Sequence, residues 1–178
     1  CSDDQLAFLA GQEGFCGVTR IDGRVTTWLR VVDLSPGTAL DIGRMRFETD
    51  DLLVETGIAE DYLEDWTRVE GSAPERGVPP LGCDASGCVL LTSGGWRIRI
   101  GPRPRAPEGF DAYCPAEERR RADLLWLAAL EITLLRRTEE GWIAQLSTHP
   151  WVEGTVDEDE DPMPASDAEL LAAGALMR

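Results

Sequence analysis

Apolar positions along the chain keep a helical period only briefly. In CSDDQLAFLAGQEG, Leu6, Phe8 and Leu9 form an apolar face, Ser2 and Gln5 have capping-box spacing, and Gly11 stops the turn, which predicts a short N-terminal helix. From Phe15 onward the period becomes two. GFCGVTRIDGRVTTWLRVVDL reads as two strands joined at Asp22-Gly23. In the second of them Trp28, Arg30 and Val32 share one face, and Val25, Thr27, Leu29 and Val31 share the other. RMRFET and LLVETGI repeat the pattern about Asp50-Asp51. EDYLEDWTRVEG then alternates strongly, with Tyr62, Glu64, Trp66 and Arg68 facing one way and Asp61, Leu63, Asp65, Thr67 and Val69 the other.

Residues 71–87, rich in Gly and Pro, read as a polar loop. CVLLTSGGWRIRIG is a hairpin turning at Ser93-Gly94-Gly95, with Trp96, Ile98 and Ile100 opposite Arg97 and Arg99. Pro115 followed by two Glu starts a short helix over 116–127, and LEITLLRR pairs with WIAQLST through the turn TEEG. The acidic run after Gly154 reads as solvated linker, and 166–177 as a terminal amphipathic helix. Six to eight hairpin-connected strands with little central helix give a mainly β fold, an antiparallel meander closing into a barrel. The domain organisation that follows is one barrel domain over 1–154 and an acidic linker with a terminal helix over 155–178.

Composition narrows the chemistry. The chain of 178 residues is 43% hydrophobic, enough for one packed domain, and no apolar run approaches the roughly 18 residues of a membrane span. All 17 basic residues are Arg, so Schiff-base and P-loop lysine chemistry are excluded. A net charge of -16 argues against binding a phosphate backbone. Five irregularly spaced cysteines fit free thiols in a reducing, cytoplasmic setting better than a disulfide framework. Cys83 and Cys88 fit zinc-knuckle spacing only loosely, and one His leaves such a site short of ligands. No cofactor is implied.

LAFLAGQEGFCG, TTWLRVVDL with DIGRMRF, VETGIAEDYLEDWTRV and WIAQLSTHPWVEG resemble successive blocks of a bacterial family of uncharacterised lipocalin-like, calycin-type proteins, distantly related to a small yeast barrel protein. The blocks take the form Gln-Glu-Gly-Phe, a Trp-x-Arg strand, an Asp-x-Gly turn, Tyr-x-Glu-x-Trp and Ser-Thr-x-Pro-Trp-x-Glu-Gly, and cover residues 5–70 and 131–154. The resemblance implies a lipocalin-like barrel, incomplete here because the family has strands upstream of Gln5. On that reading residues are missing before Cys1; the other reading of Cys1 is the lipid-modified end of an anchored lipoprotein. The family carries no activity across, so the resemblance speaks to fold.

Among the many carboxylates of residues 46–71, Glu64 alone stands between two aromatic residues on one strand face. Its plainest role is a buried acid paired with Arg68 or Arg30. Its functional role is as part of a ligand-binding face made by Trp28, Arg30, Tyr62, Glu64, Trp66 and Arg68, which would hold a small apolar or amphipathic molecule with an arginine orienting its polar group. A rival is an enzyme with Glu64 as general base. Two others are a haem-binding barrel with His149 on the iron and an acidic module that docks a basic protein. Trp151, after Pro150, is expected to plug one end of the barrel.

Overall fold

A computed structural model describes residues 1–37, 40–74, 81–83, 88–157 and 163–164. Helix α1 (Asp3–Ala10) starts as its sequence dictates: the Ser2 hydroxyl accepts from the Gln5 amide at 3.2 Å and the Gln5 side chain accepts from the Ser2 amide at 2.9 Å. Its buried residues are Leu6 and Ala10, one helical turn apart, and Phe8, expected on the buried face, is exposed.

Strands β1 (Phe15–Asp22), β2 (Val25–Asp33), β3 (Asp41–Phe47), β4 (Leu52–Gly57) and β5 (Leu63–Thr67) follow one another as an antiparallel meander in that spatial order. The first hairpin turns on Gly23 and Arg24, with φ of 60° at Gly23 supplying the left-handed residue the tight turn needs. Gly17 sits at a bulge in β1. A Cβ there would stand 2.0 Å from the Leu29 carbonyl oxygen, so only glycine lets β1 and β2 approach this closely.

The second sheet contains β6 (Leu81–Cys83), β7 (Val89–Ser93), β8 (Trp96–Ile100), β9 (Ile132–Thr138), β10 (Gly141–Ser147), β11 (Val156–Asp157) and β12 (Met163–Pro164). Its spatial order is β11-β10-β9-β8-β7-β6-β12. Between β8 and β9 the predicted helix is divided into a 3-10 turn, Ala116–Glu118, and α2, Arg121–Ala128. The Asp123 carboxylate holds the start of α2 by accepting from the Arg120 amide and guanidinium. The predicted terminal helix over 166–177 lies outside the described residues, as does the acidic run beyond Asp157.

The fold is thus mainly β and antiparallel, as expected, but the described strands form two open sheets and no pairing closes either one into a barrel. After β5 the chain leaves the first sheet and builds the second against it. Cys16, Val31 and Val32 from the first sheet, with Leu34 just past the end of β2, meet Val89, Ile100 and Leu130 in one core. Each such side chain contributes roughly 1.5–3 kcal/mol by burial. Adjacent Val31 and Val32 are both buried, so β2 is covered on both faces at its end and simple alternation fails there.

A second cluster joins the helices, with Ala10 of α1 against Trp126 and Leu127 of α2. Two arginines are stacked on indoles. Arg97 is buried with its guanidinium 4.2 Å from the Trp142 ring centre, and Arg103 is 8% exposed and 4.4 Å from that of Trp126. Trp151, expected as a plug, is 66% exposed and stacks on His149. Among the described residues no helix is long and apolar enough to cross a membrane.

Candidate functional site

One face of the first sheet carries the chemistry. Strand pairing places Trp28 opposite Asp41, Gly43 opposite Gly57, Glu55 opposite Glu64 and Leu53 opposite Trp66, so side chains from β2 to β5 converge on that face. They line a cavity of about 660 Å³ together with Phe15, Arg30 and Tyr62. Five of the six residues expected to bind ligand, Trp28, Arg30, Tyr62, Glu64 and Trp66, therefore share one cavity. Arg68 is absent from its lining and is paired with Asp51 at 3.1 Å, near the turn before β4.

The buried acid of the site is Glu55 rather than Glu64. Glu55 is 1% exposed, and three neutral donors converge on its carboxylate. The Trp28 indole N–H donates to Oε1 at 3.3 Å, the Tyr62 hydroxyl to Oε1 at 2.8 Å, and the Trp66 indole N–H to Oε2 at 3.1 Å. Glu64, directly across the hairpin, is exposed, and among the described residues no basic side chain pairs with it. The hairpin loop between β4 and β5 decides which acid is covered. Glycine 57 donates its amide to the Tyr62 carbonyl at 3.0 Å, which folds the Tyr62 ring back over the carboxylate of β4.

Two glycines make room for this arrangement. A Cβ on Gly43 would lie 2.2 Å from Glu55 Oε1 and 2.7 Å from its Cγ, and a Cβ on Gly57 would lie 2.6 Å from two carbons of the Tyr62 ring. Gly43 is the residue of β3 over which Trp28 of β2 and Glu55 of β4 must reach to meet, and its bare Cα leaves that path open. Gly57, its direct partner, gives the tyrosine ring its seat.

The aromatic rings are ordered as a set. Trp28 and Trp66 stack at 5.9 Å between centres and 25° between planes, and Phe15 meets Trp28 edge-on at 6.4 Å. Burial, and then the hydrogen bond to Glu55, pushes the Tyr62 phenol well above the ordinary tyrosine range, so it remains a donor. Arg30 is held by Asp41 at 2.8 Å and Asp33 at 3.2 Å, with its guanidinium 4.3 Å over the Phe15 ring.

Among the described residues the lining contains no Cys and no His. His149 lies elsewhere, with Nε2 donating to the Ala128 carbonyl at 2.9 Å and Nδ1 3.7 Å from the Glu131 carboxylate. No group of three or more His, Cys, Asp or Glu side chains suited to a metal ion occurs among the described residues. Cys1, Cys16 and Cys114 are free thiols, and burial pushes that of Cys16 up to about 11.

Sequence reasoning found the face but missed Glu55. The signal was present: a hairpin centred on the GIAEDY segment sets Glu55 against Glu64 in register, and the adjoining Gly57 marks a close approach. Comparison with protein-family models, curated proteins and solved structures gives no match.

Proposed function

We propose that the protein is a non-enzymatic binding protein that takes a small, partly apolar molecule into the aromatic cavity of its first sheet. It is lipocalin-like in the sense that a β-meander carries the ligand cavity. The observation that carries this reading is the Glu55 knot: a buried carboxylate fixes two indoles and a phenol from three elements, so the rings bordering the cavity are held in place before anything binds. The cavity's size suits a small ligand, and its lining combines aromatic rings with convergent polar groups, as such sites usually do. A reaction finds less support. Glu64, the candidate base, stands at the exposed rim, and the cavity offers no thiol or imidazole among the described residues.

A thermal-shift screen of small amphipathic molecules, read together with tryptophan fluorescence, tests the reading. A stabilising compound should lose its effect in Trp66→Ala and keep it in Asp61→Ala, whose side chain is outside the cavity lining. Equal loss in both variants, or a Trp66→Ala protein that responds like the wild type, would refute it.

A further inference from the structure

We infer that the ligand of this cavity is an organic cation, an alkylated ammonium group on an apolar body; this rests on the binding reading above and specifies its chemistry. Six carboxylates line the cavity, those of Glu13, Asp33, Asp41, Glu55, Glu60 and Glu64, against one guanidinium, that of Arg30. Asp33 and Asp41 already engage that guanidinium. The other four carboxylates have no basic nitrogen within 4.0 Å among the described residues. The cavity is therefore acidic in excess of anything its own residues neutralise.

The excess is deepest at Glu55. A carboxylate with 1% exposure would ordinarily face a cation, yet its three partners are neutral N–H and O–H groups. Its charge reaches the cavity through a medium less polarisable than water, where it attracts a positive ligand more strongly than a surface carboxylate would. The orientation of the rings adds to this. Both indole N–H groups and the phenol O–H point inward at Glu55, so these donors are consumed, and because Trp28 and Trp66 stack on one another the negative ring surface left for a ligand is the face of Trp66 turned away from Trp28 and the Tyr62 ring. Trp66, the most accessible of the three, is 45% exposed. The Arg30 guanidinium over Phe15 shows that a cation sits on a ring within this cavity.

The same geometry turns an anion away. The donors an acidic ligand would need are occupied: Arg30 by two aspartates, and Trp28, Trp66 and Tyr62 by Glu55. At long range a net charge of -16 raises the local concentration of cations and lowers that of anions.

Isosteric ligands separate charge from shape. Choline, its neutral carbon isostere 3,3-dimethylbutan-1-ol and the related anion 3,3-dimethylbutanoate would be titrated into the full chain by calorimetry and tryptophan fluorescence. Benzyltrimethylammonium and neutral aromatic alcohols would extend the series. The ammonium compounds should bind at least about tenfold more tightly than their neutral partners. That preference should shrink in the rim double variant Glu60→Gln/Glu64→Gln, whose side chains are exposed and form no ion pair among the described residues. Trp66→Phe should weaken the cation more than the alcohol, since an indole face holds a cation better than a phenyl face. Equal binding of cation and neutral isostere, or tighter binding of the carboxylate, would overturn the cation inference and leave the binding reading standing. Silence across the whole series, neutral and anionic members included, would overturn both.

Discussion

Replacing Glu55 by Gln keeps the shape of the side chain and changes one oxygen into an NH2 group, which makes it a direct test of the knot. Oε1 accepts from Trp28 at 3.3 Å and Tyr62 at 2.8 Å, and Oε2 accepts from Trp66 at 3.1 Å. With the amide oxygen toward Trp28 and Tyr62, the NH2 group faces the Trp66 N–H. With the amide flipped, the Tyr62 hydroxyl can turn to accept, but the Trp28 N–H then faces a donor. Either way one indole N–H is orphaned, at a cost of roughly 1–3 kcal/mol. Loss of charge assistance in the remaining bonds adds about 1 kcal/mol. The cavity opens to solvent, so a water can take the orphaned donor, and the expected total is about 2–3 kcal/mol. Urea unfolding should show a lower midpoint at unchanged slope. Trp66→Phe removes the orphaned N–H, so it should cost less in the Glu55→Gln background than in the wild type, with a coupling of about 1 kcal/mol or more. A Glu55→Gln protein within about 0.5 kcal/mol of the wild type, or strict additivity in the double variant, would refute the reasoning.

Other perturbations read neighbouring parts of the same account. Gly43→Ala puts a Cβ 2.2 Å from Glu55 Oε1, so the carboxylate must shift off its donors; an unfolding cost of roughly 2 kcal/mol or more and loss of any ligand response are expected, and a silent substitution would show that the close approach is unimportant. Tyr62 is raised by burial and then by Glu55, so the stability held in its neutral form is complete below the unfolded-state value of about 10 and is lost as pH rises through the higher folded-state value. Absorbance titration near 295 nm in a Tyr113→Phe background should show this late ionisation, and it should come earlier in Glu55→Gln. Burial lowers Arg103 to about 10 and leaves its Nε without a partner, so its charge penalises the fold below that pH and the penalty eases above it. Arg103→Met should therefore be neutral or stabilising in urea unfolding, and a loss above about 1 kcal/mol would mean that the stack on Trp126 outweighs the desolvation.

The elements were legible where local chemistry decides them. Ser2 with Gln5 announces α1, Gly23 and Gly94 announce hairpins, and period-two alternation announces the strands of the first meander. Closure was not legible, because whether a meander curls into a barrel or stops at five strands depends on where its apolar face finds cover. Here Val89 and Ile100 supply that cover from a second sheet, with Leu130 from the turn before β9. The positions of Arg97 and Arg103 were hidden for a related reason. Charge assigns an arginine to water, but a guanidinium face can lie on a buried indole, and only the tertiary arrangement brings Trp142 and Trp126 beneath them.

The cavity face illustrates what alternation can and cannot supply. Period two correctly groups Glu64 and Trp66, because residues two apart on a strand share a face whatever the sheet does next, while Tyr62 joins them from the hairpin loop before β5. It says nothing about which neighbouring strand contributes the carboxylate, since that is a matter of register. Glu55 and Glu64 are equivalent by composition, and they are opposite one another by pairing. What separates them is the tyrosine folded onto Gly57 and the indole reaching over Gly43, two contacts that require the absence of a side chain. The acid at the centre of the site is therefore selected by two glycines that pair directly across the neighbouring strands β3 and β4. A substitution at Gly43 or Gly57 should disturb the aromatic set as surely as one at Trp28 or Trp66, although neither glycine could contribute a side-chain group to a ligand.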